Sequence, residues 1–153
     1  MGNWDWQVFL QDPGGEYPTY LQWMLSAWGW TVSVALLALI VALVLGSLVG
    51  IVRTLPDNPW LVRLGNAWVE LFRNIPLLVQ IFLWYHVIPA LVPVMKGVPS
   101  FILVVLALGF FTSARIAEQV RSGIQALPKG QRYAGMAVGF TTTPVSYTHL
   151  TLP

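Results

Sequence analysis

The apolar and polar positions of this chain fall into long blocks rather than the short alternations of a soluble domain. Val32 to Val52 is an apolar run of 21 residues with no charge and no proline. Such a run can cross a hydrocarbon core, which takes about 20 helical residues. Ile75 to Met95 is a second charge-free block, with Pro76 at its start and Pro89 and Pro93 toward its end. A third runs from Gly97 to Ala114, 18 residues opened by Pro99. Three membrane-spanning helices are therefore predicted, over about 28–52, 69–93 and 98–120 within a membrane region of 23–121. The fold class is all-α, a polytopic membrane protein.

The polar stretches set the boundaries. Residues 1–22 hold Asp5, Asp12 and Glu16 with Pro13, Gly14, Gly15 and Pro18, and read as an amphipathic or looped outer segment. Trp23, Trp28 and Trp30 precede the first block, at the headgroup level that indole rings prefer. Pro56, Asp57, Asn58 and Pro59 make a polar turn after it. Residues 60–74, with Trp60, Arg63, Trp68, Glu70 and Arg73, read as an interfacial or inner-end segment. Glu70 and Arg73 are three apart and can pair on one helix face. Arg115, Glu118 and Arg121 repeat that spacing at the end of the third block, so internal pairing is expected there too.

Charge gives the blocks a direction. Arg53, Arg63, Arg73, Arg115, Arg121, Lys129 and Arg132 lie on one side and Lys96 alone on the other. Positive residues collect on the cytoplasmic side, so the amino terminus is expected outside. Hydrophobic content of 56% against 9% charged residues excludes an ordinary soluble domain, which carries about 25% charge. Without cysteine, and with His86 and His149 far apart, thiolate chemistry and a multi-histidine metal site are not expected. His86 reads as a neutral histidine bonded across helices. No GxxxxGK[ST] phosphate loop is present, and no nucleophile has a base at a recognisable spacing. The basic residues mark a membrane edge rather than a compact nucleic-acid patch. No enzyme, cofactor or nucleic-acid role is expected.

Two motifs suggest contacts. Gly46 and Gly50 form a GxxxG pair that would let a second helix approach closely, although glycine is also simply common in membrane helices. Residues 122–143 follow the third block with Leu127-Pro128-Lys129-Gly130 and a small-residue stretch ending at Gly139, and a short helix over Gln131 to Val138 is expected. On spacing alone this is either a plain loop or a docking piece for a soluble partner. A non-transporting membrane scaffold or assembly protein fits the three spans as well as a transporter does.

Glu70-Leu-Phe-Arg73-Asn74-Ile-Pro76-Leu-Leu-Val-Gln80 resembles a segment of the permease subunits of bacterial ABC importers for polar amino acids. Gly123-Ile-Gln-Ala-Leu-Pro128-Lys-Gly130-Gln131, followed by Gly139, resembles the cytoplasmic coupling loop of that family. Within it the chain looks most like the glutamate/aspartate type. The resemblance implies a type I importer transmembrane domain with five helices per subunit in the cell inner membrane. Its partners would be a second permease subunit, ABC ATPase subunits that bind the ATP, a periplasmic amino acid binding protein and membrane lipid. The ATPase-coupling residues would be Gly123, Pro128, Gly130, Gln131, Tyr133, Ala134, Gly135, Ala137 and Gly139. One departure stands out: where the family reads Glu-Ala-Ala, this chain has Tyr133-Ala134-Gly135, which removes a candidate ion pair with the ATPase. The threonine-rich stretch after Gly139 leads into no fourth apolar block, so the chain reads as truncated. Residues 144–153 form an atypical tail, read as foreign from about Val145.

Overall fold

A computed structural model describes residues 5–55 and 58–126, and these are all helical or short connections. The Thr19 hydroxyl accepts from the Gln22 amide at 3.3 Å and starts helix α1, Tyr20–Val52. α1 therefore begins about three turns before the apolar run at Val32, taking Trp23, Trp28 and Trp30 into the helix. Before it, Asp5 caps a 3₁₀ turn at Trp6–Leu10. Helix α2 spans Pro59–Asn74, with Pro59 in its first turn, where a missing N–H costs nothing.

The segment expected as one helix over 69–93 is divided. Ile75 takes an extended conformation (φ −95°, ψ 126°), and α3 then spans Leu77–Phe82. The cause is Pro76, whose ring disfavours the helical region for the residue before it. The chain bends there by 102° between Pro59–Asn74 and Leu77–Leu91. A π turn at Leu83–Val87 leads into α4, Ile88–Leu91, and a 3₁₀ turn covers Pro93–Gly97. Pro89 supplies no N–H to the preceding turn, which accounts for the wider winding just before it. Helix α5, Ser100–Gln125, follows Pro99.

α1 and α5 run parallel and pack along most of their length. Trp30 meets Phe101 edge-on at 5.5 Å. Farther along, Gly109 faces Val41, Gly46 faces Ile116 and Gly50 faces Val120. The α1 face of this seam is Ala38, Ala42, Gly46 and Gly50, all buried and four residues apart. A Cβ added to Gly46 would lie 2.7 Å from the Ile116 Cβ and 2.8 Å from the Ser113 carbonyl oxygen. Only a residue without a side chain allows the backbones this close. Packing of this kind replaces the hydrophobic effect, which lipid tails abolish as a force between apolar helices.

Elsewhere α1 turns Leu36, Ile40, Leu43, Val44 and Leu48 outward, each about half exposed. In a soluble protein this would be an aggregating surface; against lipid it is the expected one. Among the described residues two helices, α1 and α5, are long and apolar enough to cross a membrane, and the bent α2–α4 unit makes a third if it counts as one span. Because α1 and α5 are parallel, the segment between them must return the chain across the same thickness.

Candidate functional site

The polar groups of the described residues converge at the end of α1, where the apolar run stops. Arg53 follows Val52 and is 7% exposed. Its stem passes under α2 at Gly65, where an added Cβ would lie 2.6 Å from the Arg53 Cγ. Gly65 is thus required by the arginine, not by helix geometry. Beyond it, Arg53 Nε donates to Asn66 Oδ1 at 2.8 Å, and Nη2 donates to Glu118 Oε1 at 2.9 Å. Arg73 reaches the same carboxylate oxygen at 3.3 Å from α2. Arg121, one turn along α5, also acts on Glu118 electrostatically. One carboxylate therefore ties together α1, α2 and α5.

This arrangement departs from pairing at a spacing of three. Arg73 pairs across to Glu118, and Glu70 stands exposed without an ion pair among the described residues. Arg115 lies over the Phe111 ring at 4.2 Å, one turn back on its own helix. The physical reason is burial. Arg53 is sealed from water and needs a counter-charge, whereas exposed partners gain only about 0–1 kcal/mol from each other. Among the described residues the cluster is short of acceptors: Arg53 Nη1 and Arg121 Nε are buried with no hydrogen-bond partner there. Each buried unsatisfied donor costs about 1–3 kcal/mol.

A second polar device holds the bend. Gln80 is 2% exposed, and its Nε2 donates to the carbonyl oxygens of Phe72 at 2.8 Å and Ile75 at 2.9 Å. These carbonyls lose their helical partners when α2 ends, and a single amide on α3 satisfies both. Hydrocarbon offers no water to do this instead. Around the bend, Trp68, Phe72 and Trp84 each pack on Phe110, with ring centres 5.0, 5.6 and 5.2 Å apart. The Trp68 indole donates to the Ser113 hydroxyl at 3.1 Å, and that hydroxyl donates to the Phe110 carbonyl at 2.7 Å.

The signature residues Glu70, Arg73, Asn74, Pro76 and Gln80 thus bracket the bend, with Gln80 buried, Arg73 exposed but paired with Glu118, and Glu70 and Asn74 exposed. Gly46 and Gly50 lie in the α1–α5 seam. Gly123 sits exposed in the last turn of α5. Pro128, Gly130, Gln131, Tyr133, Ala134, Gly135, Ala137 and Gly139, with the expected helix over Gln131 to Val138, lie outside the described residues. His86 contacts the rings of Phe82 and Tyr85 within its own segment, with no hydrogen bond across helices among the described residues. Sequence spacing missed Arg53–Asn66–Glu118 and Trp68–Ser113. The one available signal was an arginine directly after the longest apolar run.

Among the described residues no group of three or more His, Asp or Glu could hold a metal ion. Nor does any nucleophile there sit beside a base. What the site can do is hold a kinked membrane segment against two parallel helices. The fold is similar to that of a solved transporter: the crystal structure of an amino acid ABC transporter with histidines matches at a TM-score of 0.61 and 26% identity, over 80% of this chain and 58% of that one.

The chain is homologous to the permease proteins of amino-acid ABC transporters. It is 44% identical over 161 residues to the glutamate/aspartate import permease protein GltJ of Escherichia coli K12, covering 99% of this chain and 65% of that protein. It is 39% identical over 123 residues to the probable glutamine ABC transporter permease protein GlnM of Bacillus subtilis, covering 80% of this chain and 55% of that protein. The probable amino-acid ABC transporter permease protein PatM of Vibrio harveyi is 33% identical over 120 residues, or 78% of this chain and 53% of its own length. The chain thus spans less than two thirds of each of these relatives. No protein-family model matches it.

Proposed function

We propose that the chain is the permease subunit, or the amino-terminal part of one, for ATP-driven import of polar amino acids, with glutamate and aspartate as substrates. The observation that carries this reading is the 44% identity to a glutamate/aspartate import permease over 99% of the chain. In this reading the amino terminus faces the periplasm, an orientation that the asymmetry of Lys and Arg supports. α1, the bent α2–α4 unit and α5 cross the inner membrane. The segment 122–143 docks on a separate ABC ATPase subunit that binds the ATP, a second permease subunit completes the pathway, and a periplasmic binding protein delivers the amino acid.

The seam and the Glu118 cluster suit that task. A push on the segment after Gly123 enters α5 directly, and Glu118 passes it to α1 and α2 at once. Rigid helices joined through a buried arginine and its partly exposed carboxylate partner move together, as shear and rigid-body transitions demand. The test is uptake by a complex reconstituted with the ATPase and binding protein. Glutamate and aspartate should be imported and should compete with each other. Preferential import of a basic amino acid would defeat the acidic assignment. Separately, Ala134→Glu with Ala137→Glu should abolish co-purification of the ATPase, and unchanged recovery would remove the coupling role of 122–143.

A further inference from the structure

α5 is held on two of its sides. α1 packs against Gly109, Ile116 and Val120, and Trp68, Phe72 and Trp84 from the bent unit pack on Phe110. The third side carries Leu108, Thr112, Arg115, Gln119 and Ser122, which the helical repeat places on one face. Leu108 and Thr112 are half-buried, and Arg115, Gln119 and Ser122 are exposed. This face changes from apolar to polar at Thr112, within the charge-free block. Trp30 against Phe101 sets the outer end of α5 at the aromatic belt. Arg115 lies about 22 Å along the axis from Ser100, and so inside a hydrocarbon core of about 30 Å.

Arg53, Arg73 and Arg121 gather on Glu118, one turn farther toward the inner side. Arg115 does not join them and has no ion pair among the described residues. Its guanidinium lies over the Phe111 ring at 4.2 Å, toward the outer end of α5, as the tilt of helical side chains toward the helix start directs. An arginine reaching for the inner headgroups would extend the opposite way. Charges that stay inside the core turn to a bundle interior or a water-filled cavity. We propose that Arg115 binds the side-chain carboxylate of an acidic amino acid during its passage, with Thr112 and Gln119 lining the path beside it. Phe111, 8% exposed, supports one face of the guanidinium and leaves its in-plane N–H groups to donate to the carboxylate. The inference rests on the reading of glutamate and aspartate as substrates and adds the residue that tells them from neutral amino acids.

The complex, reconstituted in liposomes with its second permease subunit, ATPase and binding protein, is assayed for glutamate uptake. Arg115→Gln should lower uptake at least about tenfold, the share of one hydrogen bond to a charged group, while the subunits still co-purify. Arg115→Lys, which keeps the charge but not the fork of donors, should fall between that variant and the wild type. The chain has no native cysteine, so Thr112→Cys reports on water at this face. It should react with a water-soluble thiol reagent, and more slowly when glutamate, binding protein and ATP are present. Wild-type uptake by Arg115→Gln, or an unreactive Thr112→Cys in the assembled complex, would overturn the inference and leave acidic amino acid import standing. Loss of subunit assembly in both Arg115 variants would overturn it in favour of a packing role. A wild-type complex that imports neither glutamate nor aspartate would overturn it together with the reading beneath it.

Discussion

The α1–α5 seam and the bend between α2 and α3 solve the same problem by opposite means. Both must hold helices together where lipid tails compete for every apolar contact. The seam does it by subtraction: Ala38, Ala42, Gly46 and Gly50 remove side chains until backbones touch. The bend does it by addition, since Pro76 breaks the helix and Gln80, Trp68, Arg53 and Glu118 supply polar contacts to the freed or buried groups. A seam of the first kind is intolerant of volume but indifferent to charge. A joint of the second kind tolerates modest changes of shape but fails when one polar partner is removed.

Substitutions can break this contrast in a graded order. The largest effect is expected from Glu118→Ala, which leaves Arg53 buried without a counter-charge and should cost about 3–5 kcal/mol; denaturant unfolding in mixed micelles measures it. Gly46→Leu comes next, at about 3 kcal/mol or the upper end of overpacking penalties, because Ile116 and the Ser113 carbonyl leave no room. Helix separation, read by cross-linking between cysteines placed on α1 and α5, should increase in that variant and stay unchanged in Glu118→Ala. Gln80→Leu keeps the volume but strands the Phe72 and Ile75 carbonyls, and about 2 kcal/mol is expected from lost hydrogen bonds in a dry site. Faster amide exchange confined to residues 72–80 would locate the damage at the bend. The smallest effect is expected from Arg73→Gln, at most about 1 kcal/mol, because that side chain is 53% exposed and Arg53 remains to hold Glu118.

The same contrast explains what could be read from the residues in advance. One face of the seam was half visible because its signal is local: a charge-free run of 21 residues with Gly46 and Gly50 four apart admits a close helix contact, without naming α5 as the partner. The start of α1 was placed too late, because tryptophans suited to the interface are equally suited to a helix once Thr19 caps it. The break at Pro76 was half visible. Proline placed a helix start there, while the apolar content on either side favoured one continuous span. The polar joint was not visible, because its partners are far apart in sequence. Glu118 has arginines three residues away on both sides, yet its closest partner is Arg53, 65 residues earlier. Spacing reports neighbours on one helix and cannot report which of several arginines is buried. Gln80 was identified by its place in a familiar segment, but the two carbonyls it serves appear only once the chain is bent.

The most direct test of the joint is a double-mutant cycle on Arg53 and Glu118, using Arg53→Met, Glu118→Leu and the pair together, with unfolding free energy as the readout. If one carboxylate ties the three helices through a buried arginine, each single variant should be strongly destabilised. The double variant should recover much of the loss, giving a coupling of about 2 kcal/mol or more. Additive losses, with a coupling within about 0.5 kcal/mol of zero, would contradict the joint and leave the α1–α5 seam alone to hold the domain.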